Sequence, residues 1–163
     1  MLNAKEILKE GLIVLDNAKG KPAQVGYDLS VQNIKLTGGS MGMVLVDKTI
    51  VGELQDIGEA NVNGRDGWVL EPGTYDVTMN EGCDIAANRT AMVRQRSSLL
   101  RNGAIIASSI FDPGFRTDNI GTVMIVTNRI FIEKDARVAQ MYFHENNEGE
   151  LYDGQFQNDK QRK

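Results

Sequence analysis

Cysteine and histidine are nearly missing from this 163-residue chain: Cys83 and His144 are single examples of their kinds. One thiol cannot close an intrachain disulfide, and Cys-rich zinc or iron–sulfur sites lack their ligands. No excess of basic residues exists either. Lys and Arg total 18 against 22 Asp and Glu, a formal net charge of -4, so no broad positive field favours nucleic acid or an anionic membrane, although a local anion site is compatible with an acidic protein. No stretch approaches the roughly 18 consecutive apolar residues of a spanning helix. The first residues, MLNAKEILKEG, do not form a basic segment leading into an apolar run. The expectation is a soluble, cytoplasmic protein with no nucleic-acid or membrane partner. Internal repeats and a convincing interdomain linker are absent as well.

What remains suits one globular domain over residues 1–163. Hydrophobic residues make up 41% and charged residues 25%, enough to fill a core beneath an ordinary charged surface. Asn3 with Glu6 three positions on predicts a reciprocal helix cap, followed by a short helix with Ala4, Ile7 and Leu8 on one side and Gly11 as its stop. Beyond Leu12 the apolar runs are short and β-branched: LIVL, the MVLV of Met43 to Val46, the TVMIV of Thr122 to Val126, and the IFI of Ile130 to Ile132. Gly, Asn, Asp and Pro separate them, which favours strands. In RVAQMYF a two-residue period places Ala139, Met141 and Phe143 on one apolar face. GWVLEPGTYDVTM predicts a hairpin about Pro72–Gly73. The polar segment 146–163 reads as a mobile tail in which Tyr152 and Phe156 are potential anchors.

Two segments contain groups suited to phosphate chemistry. In RQRSSLLRNG, Arg96 and Arg101 offer cationic forks for phosphate oxygens, and Ser97 and Ser98 offer hydroxyl donors. In FDPGFR, Asp112 lies between Phe111 and a Pro113–Gly114 turn that can hold a carboxylate at a strand end, where it can orient water for attack on phosphorus. A charged strand end with capping serines, and a turn-capping Asp, are the ordinary structural uses of the same residues.

VGYDLSV, LEPGTYDV, RQRSSLLRNG, FDPGFR, ARVAQMYF and YDGQFQ, in this order, resemble the trimeric dUTPase and dCTP deaminase superfamily. The resemblance covers most of the chain. It implies a mainly β, compact dUTPase-like β-clip barrel with a short N-terminal helix, assembled as a homotrimer with nucleotide sites between subunits. It also implies hydrolysis of a deoxyribonucleoside triphosphate between its α and β phosphates, with dUTP giving dUMP and pyrophosphate. By the same resemblance Arg96, Ser97, Ser98 and Arg101 contact phosphate, Ser97 near the α–β bridge. Asp112 positions water and meets the deoxyribose hydroxyl, and Phe115 lies beneath the sugar. The strand from Ile106 to Ser109, including Ser108, borders the uracil pocket; Gln140 sits near the interface, and Tyr152 and Phe156 belong to the closing tail. Mg2+ enters with the triphosphate, and Asp28 falls in the phosphate and metal neighbourhood.

Two departures keep other functions open. Ile125 stands where the deaminase branch has its proton-transferring Glu, and Glu133 is the displaced candidate. In the tail, Gln155 replaces a phosphate-contacting Lys and Asp159 replaces a Gln, so Lys160, Arg162 or Lys163 would have to compensate. The alternatives are a dCTP deaminase or bifunctional relative, and a nucleotide-binding regulatory protein without turnover.

Overall fold

A computed structural model describes residues 1–147 and 150–157 of the chain; Asp159, Lys160, Arg162 and Lys163 lie outside the described residues. The chain opens with helix α1 (Ala4–Lys9) and strands β1 (Ile13–Val14), β2 (Lys21–Pro22) and β3 (Tyr27–Leu36). Short strands follow: β4 (Met43–Val44), β5 (Thr49–Ile50), β6 (Gln55–Asp56) and β7 (Ala60–Val62). Next come β8 (Arg65–Leu70), β9 (Gly73–Met79), β10 (Gly82–Asp84) and β11 (Arg89–Gln95). Helix α2 (Ser97–Arg101) leads to β12 (Ala104–Ala107), β13 (Ile110–Phe111) and β14 (Arg116–Thr117). The series ends with β15 (Gly121–Val126), β16 (Ile130–Glu133) and β17 (Arg137–Glu145).

The main sheet runs β12-β15-β9-β3-β17-β11-β13, with β2 and β6 attached to β3. Its pairs are antiparallel, and it curls into the half-barrel of a β-clip, as expected. Smaller sheets, β1-β10-β14 and β16-β8-β7, complete the core. Among the described residues no helix is long and apolar enough to cross a membrane.

Asn3 accepts from the backbone N–H groups of Lys5 and Glu6 while Glu6 accepts from the Asn3 N–H, the reciprocal cap that the spacing predicts. Ile7, on the apolar side, is fully buried. β17 follows its two-residue period: Ala139, Met141 and Phe143 are fully buried. A register shift between Arg137 and Ala139 lets Val138 turn inward too.

Two expectations need correction. β8 and β9 do not form a hairpin: β8 pairs with β16 and β7, whereas β9 lies between β15 and β3. The Pro72–Gly73 turn therefore passes the chain from one sheet to another. Of the MVLV run, expected as a strand, only Met43–Val44 are one, paired with Thr49–Ile50, and Leu45 and Val46 fall outside it; Val44 and Val46 face solvent.

Candidate active site

β11 carries both halves of the candidate site. On one side it pairs with β13, aligning Ala91 with Phe111 and Met92 with Ile110. Asp112 thereby leaves the sheet at the level of Thr90. The next residues turn sharply: Phe115 N–H donates to the Asp112 carbonyl (3.1 Å), and Gly114 N–H donates to Ile85 (2.8 Å). Gly114 has φ +80°, a conformation that L side chains resist.

This turn borders a largely apolar cavity of about 350 Å³. Phe111 and Phe115 meet edge to face at 5.6 Å, and Phe115 and Tyr152 do so at 5.2 Å. Asp112, Ser109 and Phe156 complete the walls that matter here. Aromatic edges and faces provide a broad apolar surface against which a sugar or base can pack, with one carboxylate at the margin. Tyr152 N–H donates to the Pro113 carbonyl (2.8 Å), so the described tail reaches the turn of its own chain.

At its other end β11 pairs with β17, aligning Arg94 with Gln140. Here a more open, polar cleft of about 560 Å³ is lined by Lys21, Arg96, Ser97, Arg137 and Gln140, with Asp28 among them. Asp28 is nearly out of water. One of its oxygens accepts from Arg137 (2.9 Å) and lies 3.6 Å from the Arg96 Nε. A buried carboxylate is costly unless paired, and this pairing fixes two guanidiniums at the cleft. Gln140 donates to the Val25 carbonyl, holding the loop before β3 against the same wall. That approach requires Gly26: its φ is +78°, and a Cβ there would strike the Met141 carbonyl. Behind the cleft, fully buried Glu81 accepts from the Lys19, Gly20 and Ser30 N–H groups and from the Ser30 hydroxyl. It thus anchors the segment that presents Lys21.

The geometry brings Asp112, Ser109, Phe115, Tyr152 and Phe156 to one cavity, and Asp28, Arg96, Ser97 and Gln140 to the other. Ser98 and Arg101 are exposed on α2 and line neither. Ile106 is buried and paired with Met124, so its side chain faces the core. The Ser108 hydroxyl donates to the Ser109 carbonyl (3.0 Å). Arg137 and Lys21 are the cleft cations that sequence reasoning missed. Arg137 lies within the quoted ARVAQMYF motif, though no role was assigned to it; Lys21 gains its place only through the β2–β3 pairing, Lys21 opposite Asp28.

A family model described as dCTP deaminase-like matches residues 3–146. The chain belongs to this family, within the dUTPase/dCTP deaminase superfamily. It is 30% identical over 162 residues to the probable deoxyuridine 5'-triphosphate nucleotidohydrolase of Methanosarcina mazei, covering 95% of this chain and 93% of that relative. With the probable deoxyuridine 5'-triphosphate nucleotidohydrolase of Methanosarcina barkeri the identity is 32% over 136 residues, 80% of this chain and 78% of the relative. The fold is also that of the 2'-deoxycytidine 5'-triphosphate deaminase from Agrobacterium tumefaciens (TM-score 0.59, 16% identity), covering 87% of this chain and 46% of the deaminase. The EIAV dUTPase superposes with a TM-score of 0.53 at 14% identity, covering 88% of this chain and 98% of that one. Membership in this enzyme superfamily gives the chain catalytic potential in nucleoside triphosphate hydrolysis or deamination.

Within the family frame, Ile125 is half exposed on β15, opposite Ile105 and Thr74. Glu133 pairs with Arg65 (2.9 Å) on the β16-β8-β7 sheet and lines neither cavity. Asp28 does not fit direct coordination of a divalent cation, because its buried oxygen already faces two guanidiniums. Among the described residues no group of three His, Cys, Asp or Glu side chains could hold a metal.

Proposed function

We propose that the protein is a dUTPase-like hydrolase that cleaves a deoxyribonucleoside triphosphate, preferentially dUTP, between the α and β phosphates. The observation that carries this reading is Asp112, held by a tight turn at the margin of an aromatic cavity that suits a nucleoside. In the proposed reaction its carboxylate accepts a proton from water and directs the oxygen at phosphorus; pyrophosphate leaves. Arg96 and Arg137, with Ser97 and Lys21, balance the charge on the phosphate chain. Phe115 packs against deoxyribose, leaving no room for an added 2'-hydroxyl. Magnesium belongs to the substrate as the triphosphate's counter-ion.

The two clefts of one chain lie toward opposite ends of β11. From the level of Asp112 beside Thr90 to Arg96 is six strand positions, roughly 20 Å at the rise of a β-strand. The reading includes the homotrimer that the family resemblance implies, in which Asp112 of one subunit faces the cationic cleft of a neighbour. Deamination is the second reading, motivated by the matching family model. Ile125 cannot transfer a proton and Glu133 is engaged elsewhere, which favours hydrolysis.

Product analysis with magnesium and a panel of dUTP, dCTP, dTTP and dATP tests the assignment. Pyrophosphate with dUMP is expected. Ammonia with dUTP from dCTP would replace it by deamination, and saturable binding without either product would leave a regulatory nucleotide binder.

A further inference from the structure

The turn that presents Asp112 is bonded on two sides. From within, Ile85 accepts from Gly114 N–H (2.8 Å) and donates to the Phe115 carbonyl (2.9 Å). From without, one side chain takes both remaining groups: Gln157 Nε2 donates to the Gly114 carbonyl (2.8 Å), and Gln157 Oε1 accepts from Arg116 N–H (3.0 Å). A primary amide has the donor and acceptor of a peptide unit. Here it meets the carbonyl and the N–H that flank Phe115, the groups a neighbouring strand would otherwise engage. The same segment adds the Tyr152 N–H bond to Pro113, the Tyr152 ring against Phe115, and Leu151 packed over Gly114, where a Cβ would lie 3.0 Å from that of Leu151. Phe156 N–H reaches the Tyr152 hydroxyl (3.3 Å). Four residues of tail thus touch or brace four residues of turn.

We propose that Gln157 is a positioning residue: its amide locks the 113–116 turn from the open side and so holds Asp112 and Phe115 of the same chain in register with the cavity. The catalytic part of this inference rests on the hydrolase reading; the clamp itself does not. Without the amide, the Gly114 carbonyl and the Arg116 N–H lose their outer partners, and the turn retains its bonds to Ile85, its internal Phe115–Asp112 bond and the Tyr152 bond to Pro113. A carboxylate displaced by about 1 Å from its working position can lose a hundredfold in rate. The phosphate cleft, built from other elements, is untouched.

The test uses the full chain with Gln157→Met, which keeps length and removes both polar atoms, and Gln157→Glu, which keeps an oxygen for Arg116. Amide exchange followed by NMR should speed up at least tenfold at Arg116 in the Met variant and stay within about threefold of wild type in the Glu variant. The buried amide of Met79, bonded to Ile120, serves as the fold control and should not change. The Met variant should lose about tenfold or more in kcat for dUTP, while the Kd for a non-hydrolysable analogue stays within about threefold. Unchanged exchange at Arg116 would overturn the clamp. Faster exchange with unchanged kcat, or a loss carried by Kd instead of kcat, would overturn the positioning role. A wild-type protein without dUTP turnover would defeat the hydrolase reading alone, since the exchange measurement still decides the clamp.

Discussion

Asp28 and Asp112 are both aspartates beside a cleft, yet their surroundings give them different work. Asp28 spends its charge on Arg96 and Arg137, leaving the cleft with an excess of cation that suits phosphate. Asp112 is exposed at the end of β13, where its oxygens remain available to water. Replacing Asp112 by Asn keeps the size and removes the charge. On the hydrolase reading, kcat should fall about a hundredfold or more, with nucleotide affinity nearly retained; steady-state kinetics beside equilibrium binding measures both. Unchanged turnover would exclude Asp112 as the base. The sequence marked both aspartates through their motifs, but Arg137 as the partner of Asp28 depends on antiparallel registry between β17 and β3. Pairing across more than a hundred residues leaves no local trace.

At the level of elements, patterns that complete themselves within a few residues were readable. The Asn3–Glu6 cap and the buried alternation of β17 are of this kind. The turn at Pro72–Gly73 was readable as a turn, whereas its consequence was not: partners supplied by β15, β3, β16 and β7 decide whether two flanking strands pair with each other. The docking of α1 adds a pH signature. Glu10, at its C-terminal end, meets Arg89 of β11 at 2.9 Å. The hydrogen bond from Arg89 holds the Glu10 carboxyl below its ordinary value of 4.5. A carboxyl whose pKa is lower folded than unfolded stabilises the fold above the unfolded value, and this contribution is lost as the pH falls through the folded value. Glu10→Gln should therefore lower Tm by about 1–3 °C at pH 7. The gap should close on acidification from about pH 5 toward pH 3 in a thermal melt series. A gap that persists at pH 3 would mean the pair contributes nothing through its charge.

For the whole molecule, the separation of the aromatic cavity from the cationic cleft is the decisive geometry. If each site takes Asp112 from one subunit and Arg96 from the next, Asp112→Asn and Arg96→Ala are each inactive as pure assemblies and complement when mixed. Random equal mixing after subunit exchange should restore about a quarter of the wild-type rate, since that share of interfaces combines two intact halves. No recovery, with subunit exchange verified by mass, would place the whole site within one chain. The proposed trimer rests on family resemblance; the separation along β11 is what makes shared sites testable by mixing.

Cys83 sits fully buried on β10, between Ile13 of β1 and Thr117 of β14, with its thiol pushed well above the usual range by burial. Thiolate is the reactive form, so the native state shields its single thiol from thiol-alkylating reagents twice over, by access and by ionisation. The rate at which such a reagent consumes this protein is a clock for the opening of the β1-β10-β14 sheet, one that runs without any introduced label.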